Sequence, residues 1–254
     1  MDELRLTVAD RIATLTIDRP ARRNAMTYEM WSALPGLMAE VASSDTVRVL
    51  VVRGTEHFSA GADISEFETL RSGPAGASGY SAAVHAGERA IATLALPTIA
   101  AITGVCVGGG CEVALACDIR LAADDARFGI TPAKLGIVYN ATSTRQLVQA
   151  VGPAWAKQIL FSADLIDAAT ALRIGLVNET HPAVSLHERA MALADRIATR
   201  ARVSLHGAKQ IINRVNTGQP DEDEEVQALY DAAVVSAEYA EGVAAFLAKR
   251  DPVF

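Results

Sequence analysis

The stretch Gly104-Val-Cys-Val-Gly-Gly-Gly-Cys-Glu-Val-Ala-Leu-Ala-Cys-Asp118 decides how the rest of the chain is read. Gly108, Gly109 and Gly110 leave three residues of backbone without side chains, so the chain can turn sharply and a ligand can approach its amides. Val113 to Ala116 is small, apolar and helix-compatible, and Glu112 delivers a carboxylate into that apolar segment. The first amides of a helix have no partner inside it and point outward. Gly109 is therefore read as one amide donor to a developing negative oxygen, with Glu112 as the acid or base beside it. The plainer alternative is a tight turn with an acid in the first helical turn, where the helix dipole favours it.

Outward from this stretch, a second turn has the same character. His57-Phe-Ser-Ala-Gly-Ala-Asp63 follows Val47–Val52, a β-branched run typical of a strand covered on both faces, and precedes Ile64–Leu70. Asp63 with Glu66 fits a reciprocal helix cap, which puts the amide of Ala62 just ahead of a helix start as a second donor. Ser59 is not a nucleophile elbow, because the glycine required two residues earlier is His57. His57 lies near the turn and could contact a ligand.

Strand and helix alternate along the chain. Leu4–Val8 and Ile12–Ile17 read as a hairpin about Asp10-Arg11, and Thr27–Ser43 reads as a helix bent or interrupted at Pro35. Ser72–Ser81 reads as a mobile loop or lid, with a helix from Ala83 to Ala95 and a short buried strand at Thr98–Ile102. Ile119–Ala122 and Arg127-Phe128 are short strands, and the helices Ala141–Val151 and Ala154–Phe161 are separated by Gly152-Pro153. After about Ser185 only helices remain: Leu186–Ala198, Leu205–Val215 and Glu222–Ala248. The acidic run Asp221–Glu225 after Pro220 fits a helix start. The class is α/β, with a core over residues 1–190 and a helical region over 191–254 that must bury its faces on the core or on another subunit.

Half of the 254 residues are apolar, enough for a sizeable core, and the net charge of −7 with no basic stripe argues against nucleic acid. Cys106, Cys111 and Cys117 lie in apolar sequence without zinc spacing, as reduced buried thiols would, and no metal is expected. Ala90–Cys111 carries no charge, yet Pro97 and the glycines break it, so a membrane span is not expected. The N-terminus lacks a signal-peptide pattern, and a cytoplasmic protein is expected.

Taken together, Ser59–Asp63 (S-A-G-A-D), Gly108–Arg120, Ala126–Gly129 (A-R-F-G), Ala171–Asn178 (A-L-R-I-G-L-V-N) and Glu241–Phe254 resemble the enoyl-CoA hydratase/isomerase, or crotonase, superfamily, in order and over essentially the whole chain. The resemblance implies a spiral of repeated ββα units and a C-terminal helical region that forms trimers or dimers of trimers. It implies an acyl-CoA thioester as substrate, no separate cofactor, and a carbonyl oxygen held by the amides of Ala62 and Gly109. In the family the turn over Ala60, Asp63 and Ile64 borders the CoA nucleotide, and Arg22 and Lys249 match basic positions near CoA phosphates. Family hydratases use two glutamates; Glu112 matches the first, but Pro132 stands where the second belongs. The segment Thr131-Pro-Ala-Lys-Leu-Gly-Ile-Val-Tyr-Asn140 looks like the methylmalonyl-CoA decarboxylase branch, which implies an active-site role for Tyr139, although that branch has a histidine at Ala62.

Four functions fit this pattern: hydration by Glu112, with Tyr139 orienting the water; decarboxylation of a malonyl-type thioester, with Tyr139 or Asn140 placing the carboxylate; double-bond isomerisation; and non-catalytic acyl-CoA binding. Tyr139 could equally be a half-buried core residue, and Asp118 reads as a structural partner for an amide or arginine.

Overall fold

The computed structural model describes residues 2–219 and 222–254. Its first elements are β1 (Leu4–Ala9), β2 (Ile12–Ile17), α1 (Tyr28–Ser43), β3 (Val49–Gly54), α2 (Phe67–Leu70) and α3 (Gly73–Ala92). There follow β4 (Thr98–Ile102), β5 (Val105–Val107), α4 (Gly109–Ala116), β6 (Ile119–Ala123), β7 (Arg127–Gly129) and α5 (Ala141–Ser162). The chain continues through β8 (Ile166–Asp167), α6 (Ala168–Arg173), β9 (Glu179–His181), α7 (Ala183–Ala198), α8 (Arg202–Asn216), α9 (Glu224–Val234) and α10 (Ala237–Leu247).

The main sheet runs β1-β2-β3-β4-β6-β9, with β1 and β2 antiparallel and every later pair parallel. A smaller sheet runs β5-β7-β8. Each turn of the chain thus gives one strand to the main sheet, a short one to the small sheet, and a helix: β4-β5-α4, then β6-β7-α5. The preceding turn does the same in miniature, because Ser59, between β3 and α3, bridges Cys106 of β5 in parallel. Repetition of this ββα unit stacks the turn after Ser59 directly on the turn after Val107, which is why two bends 47 residues apart in Ala62 and Gly109 come to one place. All five residues of β4 and the run Val49–Val52 are buried, as expected for strands covered on both faces.

Several expectations need correction. The supposed loop Ser72–Ser81 is helical from Gly73: Pro74 lies in the first turn, where its missing N–H costs nothing, and buried Tyr80 packs on Tyr28 and Phe67. Pro35 is accommodated inside one continuous α1, which Thr27 caps by accepting from the Met30 amide. The reciprocal cap is not formed: Asp63 accepts from Ser65 N, but Glu66 accepts from Tyr28 N at 2.8 Å and so ties α1 to the turn. The single helix expected over Glu222–Ala248 is two, because Ser236 accepts from Tyr239 N and starts α10 afresh. Asp223 caps α9, and its first-turn acids fit the helix-start reading; Pro220 and Asp221 lie outside the described residues.

Residue 190 falls inside α7, whose Leu186, Ala190, Ala194 and Ala198 are buried against the sheet. The helices that leave the core are α8 to α10. Lys209 of α8 is anchored on Asp118 at 2.8 Å, and the same carboxylate oxygen accepts from Thr98 N and Oγ1. Asp118 is therefore a structural partner of an amide, as expected, with a lysine in place of the arginine.

Candidate active site

The amides of the turn from Phe58 to Asp63 are almost all paired, most of them with carbonyls of neighbouring segments. Phe58 N donates to Thr103 O, Ser59 N to Val105 O, Ala60 N to Arg23 O, Gly61 N to Ser59 Oγ and Asp63 N to Met26 O. Among the described residues Ala62 N alone in this turn has no acceptor. Ser59, fully buried, donates its hydroxyl to Asn24 O, so it is a staple and not a nucleophile. Asn24 also donates to His57 O, and the His57 ring accepts from Val105 N, turned away from any ligand.

Gly109 opens α4, so its amide has no acceptor within the helix. The two turns lie close together: a Cβ on Gly61, whose φ is +95°, would lie 3.0 Å from Gly109 N, and one on Gly109 would lie 3.4 Å from Ala62 N. Side chains on a helix lean toward its N-terminus. Glu112, one turn after Gly109, therefore reaches back over the amide pair, and its Oε2 lies 3.5 Å from the same Gly109 Cβ position.

Ala62, Gly109 and Glu112 line one cleft, partly open to solvent, with a cavity volume of about 140 Å³ and Trp31, Tyr80, Tyr139 and Asn140 among its walls. Ala60 and Ile64 also line it. Asp63 does not; it is paired with Arg19 at 2.6 Å and with Ser65, whose hydrogen bond leads in holding its carboxyl below the ordinary range. Arg22 is exposed, next to Arg23, whose carbonyl accepts from the Ala60 amide, and is not among the cleft walls. Lys249 is exposed and outside the cleft walls.

Glu112 is 7% exposed. Burial, then the charge of Glu88, push its pKa up to about 8, against the hydrogen bond that Asn140 Nδ2 donates to Oε1 at 2.8 Å. Tyr139 lies in the cleft with its buried hydroxyl unpartnered among the described residues, and burial raises its pKa, so it remains a neutral phenol able to donate. Pro132 is on the wall, with Thr131 and Leu135 as neighbours, and brings no acid.

Four residues that sequence reading passed over shape the site. Trp31 and Tyr80 form its apolar wall, while Ser143 and Glu88 stand behind Asn140. Glu88 had a legible signal, since it falls with Val84 and Ile91 on the buried stripe of α3. Among the described residues no group of three or more His, Cys, Asp or Glu is close enough to hold a metal ion, and no helix is long and apolar enough to cross a membrane.

Residues 7–254 match the family model described as enoyl-CoA hydratase/isomerase. The chain is 33% identical to crotonyl-CoA hydratase of Syntrophomonas wolfei over 96% of this chain and 95% of that one. It is 32% identical to 2,3-dehydroadipyl-CoA hydratase of Escherichia coli over 100% and 99%. The crystal structure of an enoyl-CoA hydratase/isomerase family protein from Hyphomonas neptunium superposes with a TM-score of 0.96 at 38% identity, covering 99% of this chain and 97% of that one. With the ββα spiral and the paired amides, this match establishes the class: the chain belongs to the enoyl-CoA hydratase/isomerase family.

Proposed function

We propose that this protein adds water to a 2-enoyl-CoA to give a 3-hydroxyacyl-CoA. The observation that carries the reading is the convergence of Ala62 N, free when its neighbours are paired, with Gly109 N and Glu112 on one spot. The thioester oxygen accepts both amides, each worth on the order of 3 kcal/mol to a developing oxyanion in a dry site. Ionised Glu112 takes a proton from water while the water oxygen bonds to C3 and the double-bond electrons move to the thioester oxygen. Glu112 then returns that proton to C2 as the enolate collapses, so one carboxylate serves both halves of the addition. The neutral wall at Pro132 obliges Glu112 to do so. Tyr139 and Asn140 orient the water and the carboxylate, and Arg22 meets CoA phosphates; Lys249 serves them only through assembly with another copy.

The test is loss of conjugated thioester absorbance with crotonyl-CoA. Because Glu112 must be ionised to begin and its pKa is about 8, kcat/KM should rise tenfold per pH unit below that value and level off above it. A profile already flat at pH 6 would remove Glu112 as the base. Pro132 also supports a second reading, a reaction needing one proton shuttle or none: isomerisation of a 3-enoyl-CoA, or decarboxylation of a malonyl-type thioester. Turnover of those substrates with crotonyl-CoA inert would select it.

The tail supports assembly. Ile212, Val215, Val234, Val235, Phe246 and Leu247 of α8 to α10 are exposed, an apolar face that a single chain leaves uncovered. We read it as the contact with other copies in a trimer or dimer of trimers; light scattering giving a stable monomer would refute this.

A further inference from the structure

Glu88 stands outside the cleft but is wired to it. It is fully buried, and its Oε2 has no partner among the described residues. Burying a carboxylate with an unfilled oxygen is costly, and an apolar residue on this stripe would avoid the cost. Its Oε1 accepts from Ser143 Oγ at 2.8 Å. Ser143 Oγ accepts in turn from Asn140 Nδ2 at 2.7 Å, and the other Nδ2 hydrogen goes to Glu112 Oε1 at 2.8 Å. Asn140 Oδ1 caps α5 by accepting from Ser143 N at 2.8 Å.

The donors and acceptors along this chain close without conflict. An ionised Glu88 can only accept, so the Ser143 hydroxyl hydrogen points to it and the Ser143 oxygen is left for the asparagine amide. That amide can satisfy Ser143 N with its oxygen and both remaining acceptors with its nitrogen in one orientation only. Turning it over would place an amide nitrogen against Ser143 N and an oxygen against the Glu112 carboxylate.

Resting on the reading of Glu112 as the acid-base group, we propose that Glu88 is its positioning residue: through Ser143 and Asn140 it fixes the amide that grips Glu112 and makes the two carboxylates titrate as a linked pair. Burial places Glu88 itself at about 7, opposed by Ser143 and by the Arg145 charge on α5. The other charged or ionisable groups that act on this network are Glu112 on α4, the Tyr139 and Tyr80 phenols, the Cys111 thiol, and Arg71 on the cleft wall, whose charge lowers the Glu112 pKa. From α1 the buried residues, Met30, Trp31, Leu34, Met38 and Val41, carry no charge.

The experiment follows the Glu112 carboxyl carbon by NMR in protein labelled at the glutamate δ-carbon, assigned by its loss in Glu112→Gln. Glu88→Gln, a near-isostere of the protonated acid, should move the Glu112 midpoint down by about one pH unit, since it removes a like charge that acts partly through space and partly by polarising the hydrogen-bonded chain of Ser143 and Asn140. In an Asn140→Ala background the same substitution should move it by less than about half as much, because the linked network is cut. A Glu88→Gln shift below about 0.2 unit, or an equal shift in the Asn140→Ala background, overturns the proposal. The pH limb of kcat/KM on crotonyl-CoA should move with the NMR midpoint. If crotonyl-CoA is inert, the hydration reading fails on turnover, while the carboxyl titration still decides the role of Glu88.

Discussion

Glu112→Gln should lower kcat for crotonyl-CoA hydration about a thousandfold, in the middle of the range for loss of a positioned acid-base group. Glutamine keeps the shape, and its oxygen can still accept from Asn140 where Glu112 Oε1 does at 2.8 Å. What it loses is the capacity to take a proton from water and return it to C2. The loss should fall on kcat rather than on substrate binding, because the proton moves only in the transition state. Unfolding cannot be the cause of such a loss. The pKa of Glu112 is raised from an ordinary 4.5 to about 8 in the folded chain. Its contribution to stability is thus fully present below pH 4.5 and disappears as pH rises through 8, where a buried charge must be held. The glutamine variant has no such charge, so at pH 9 it should melt at or above the wild-type temperature. Activity within tenfold of wild type would leave the carboxylate without its assigned task.

The contrast between Glu112 and Glu88 shows what was legible in the sequence. Glu112 could be read because its meaning is local: three glycines, a helix start and an acid one turn later place an amide and a carboxylate together whatever the rest of the chain does. The Ala62 turn was legible for the same reason. Glu88 falls in the half of α3 that reads as helix, on the stripe of Val84 and Ile91, but nothing local points to its partner Ser143, 55 residues further on. No spacing rule connects them; the connection arises when α4 packs against both α3 and α5 and Ser143 at the start of α5 reaches Glu88. The helix start at Gly73 was hidden likewise, because the burial of Tyr80 against Tyr28 and Phe67 outweighs a composition typical of turns. The break before Ser236 carries neither glycine nor proline, so only the side-chain cap marks it. The fold class needed only alternating periodicity, but the polar network behind the site needed coordinates.

Gly109→Ala tests the amide pair directly, and it should reduce kcat/KM by a factor on the order of a thousand, comparable to removing an oxyanion donor outright. The added methyl would sit 3.4 Å from Ala62 N and 3.5 Å from Glu112 Oε2, in the space between donor and acid. A thioester oxygen at hydrogen-bond distance from both amides must occupy that same space, so methyl and oxygen exclude each other. The substitution is informative because it spares the backbone. At Gly61 a Cβ would meet Val107 O at 2.6 Å on top of a left-handed φ, and the fold would suffer first. At Gly109 the tightest contact is Trp31 Cζ2 at 2.9 Å, a side chain that can yield at a cost of about 1–3 kcal/mol. Circular dichroism should therefore show a folded protein with a modestly lowered melting temperature. Calorimetry with butyryl-CoA, a saturated ester that cannot react, should show binding weakened far less than turnover, because an oxyanion donor acts mainly on the charge that develops in the transition state. A folded Gly109→Ala protein that hydrates crotonyl-CoA within tenfold of wild type would mean that the carbonyl oxygen is seated away from these two amides, and the proposed chemistry would have to be rebuilt around another donor pair.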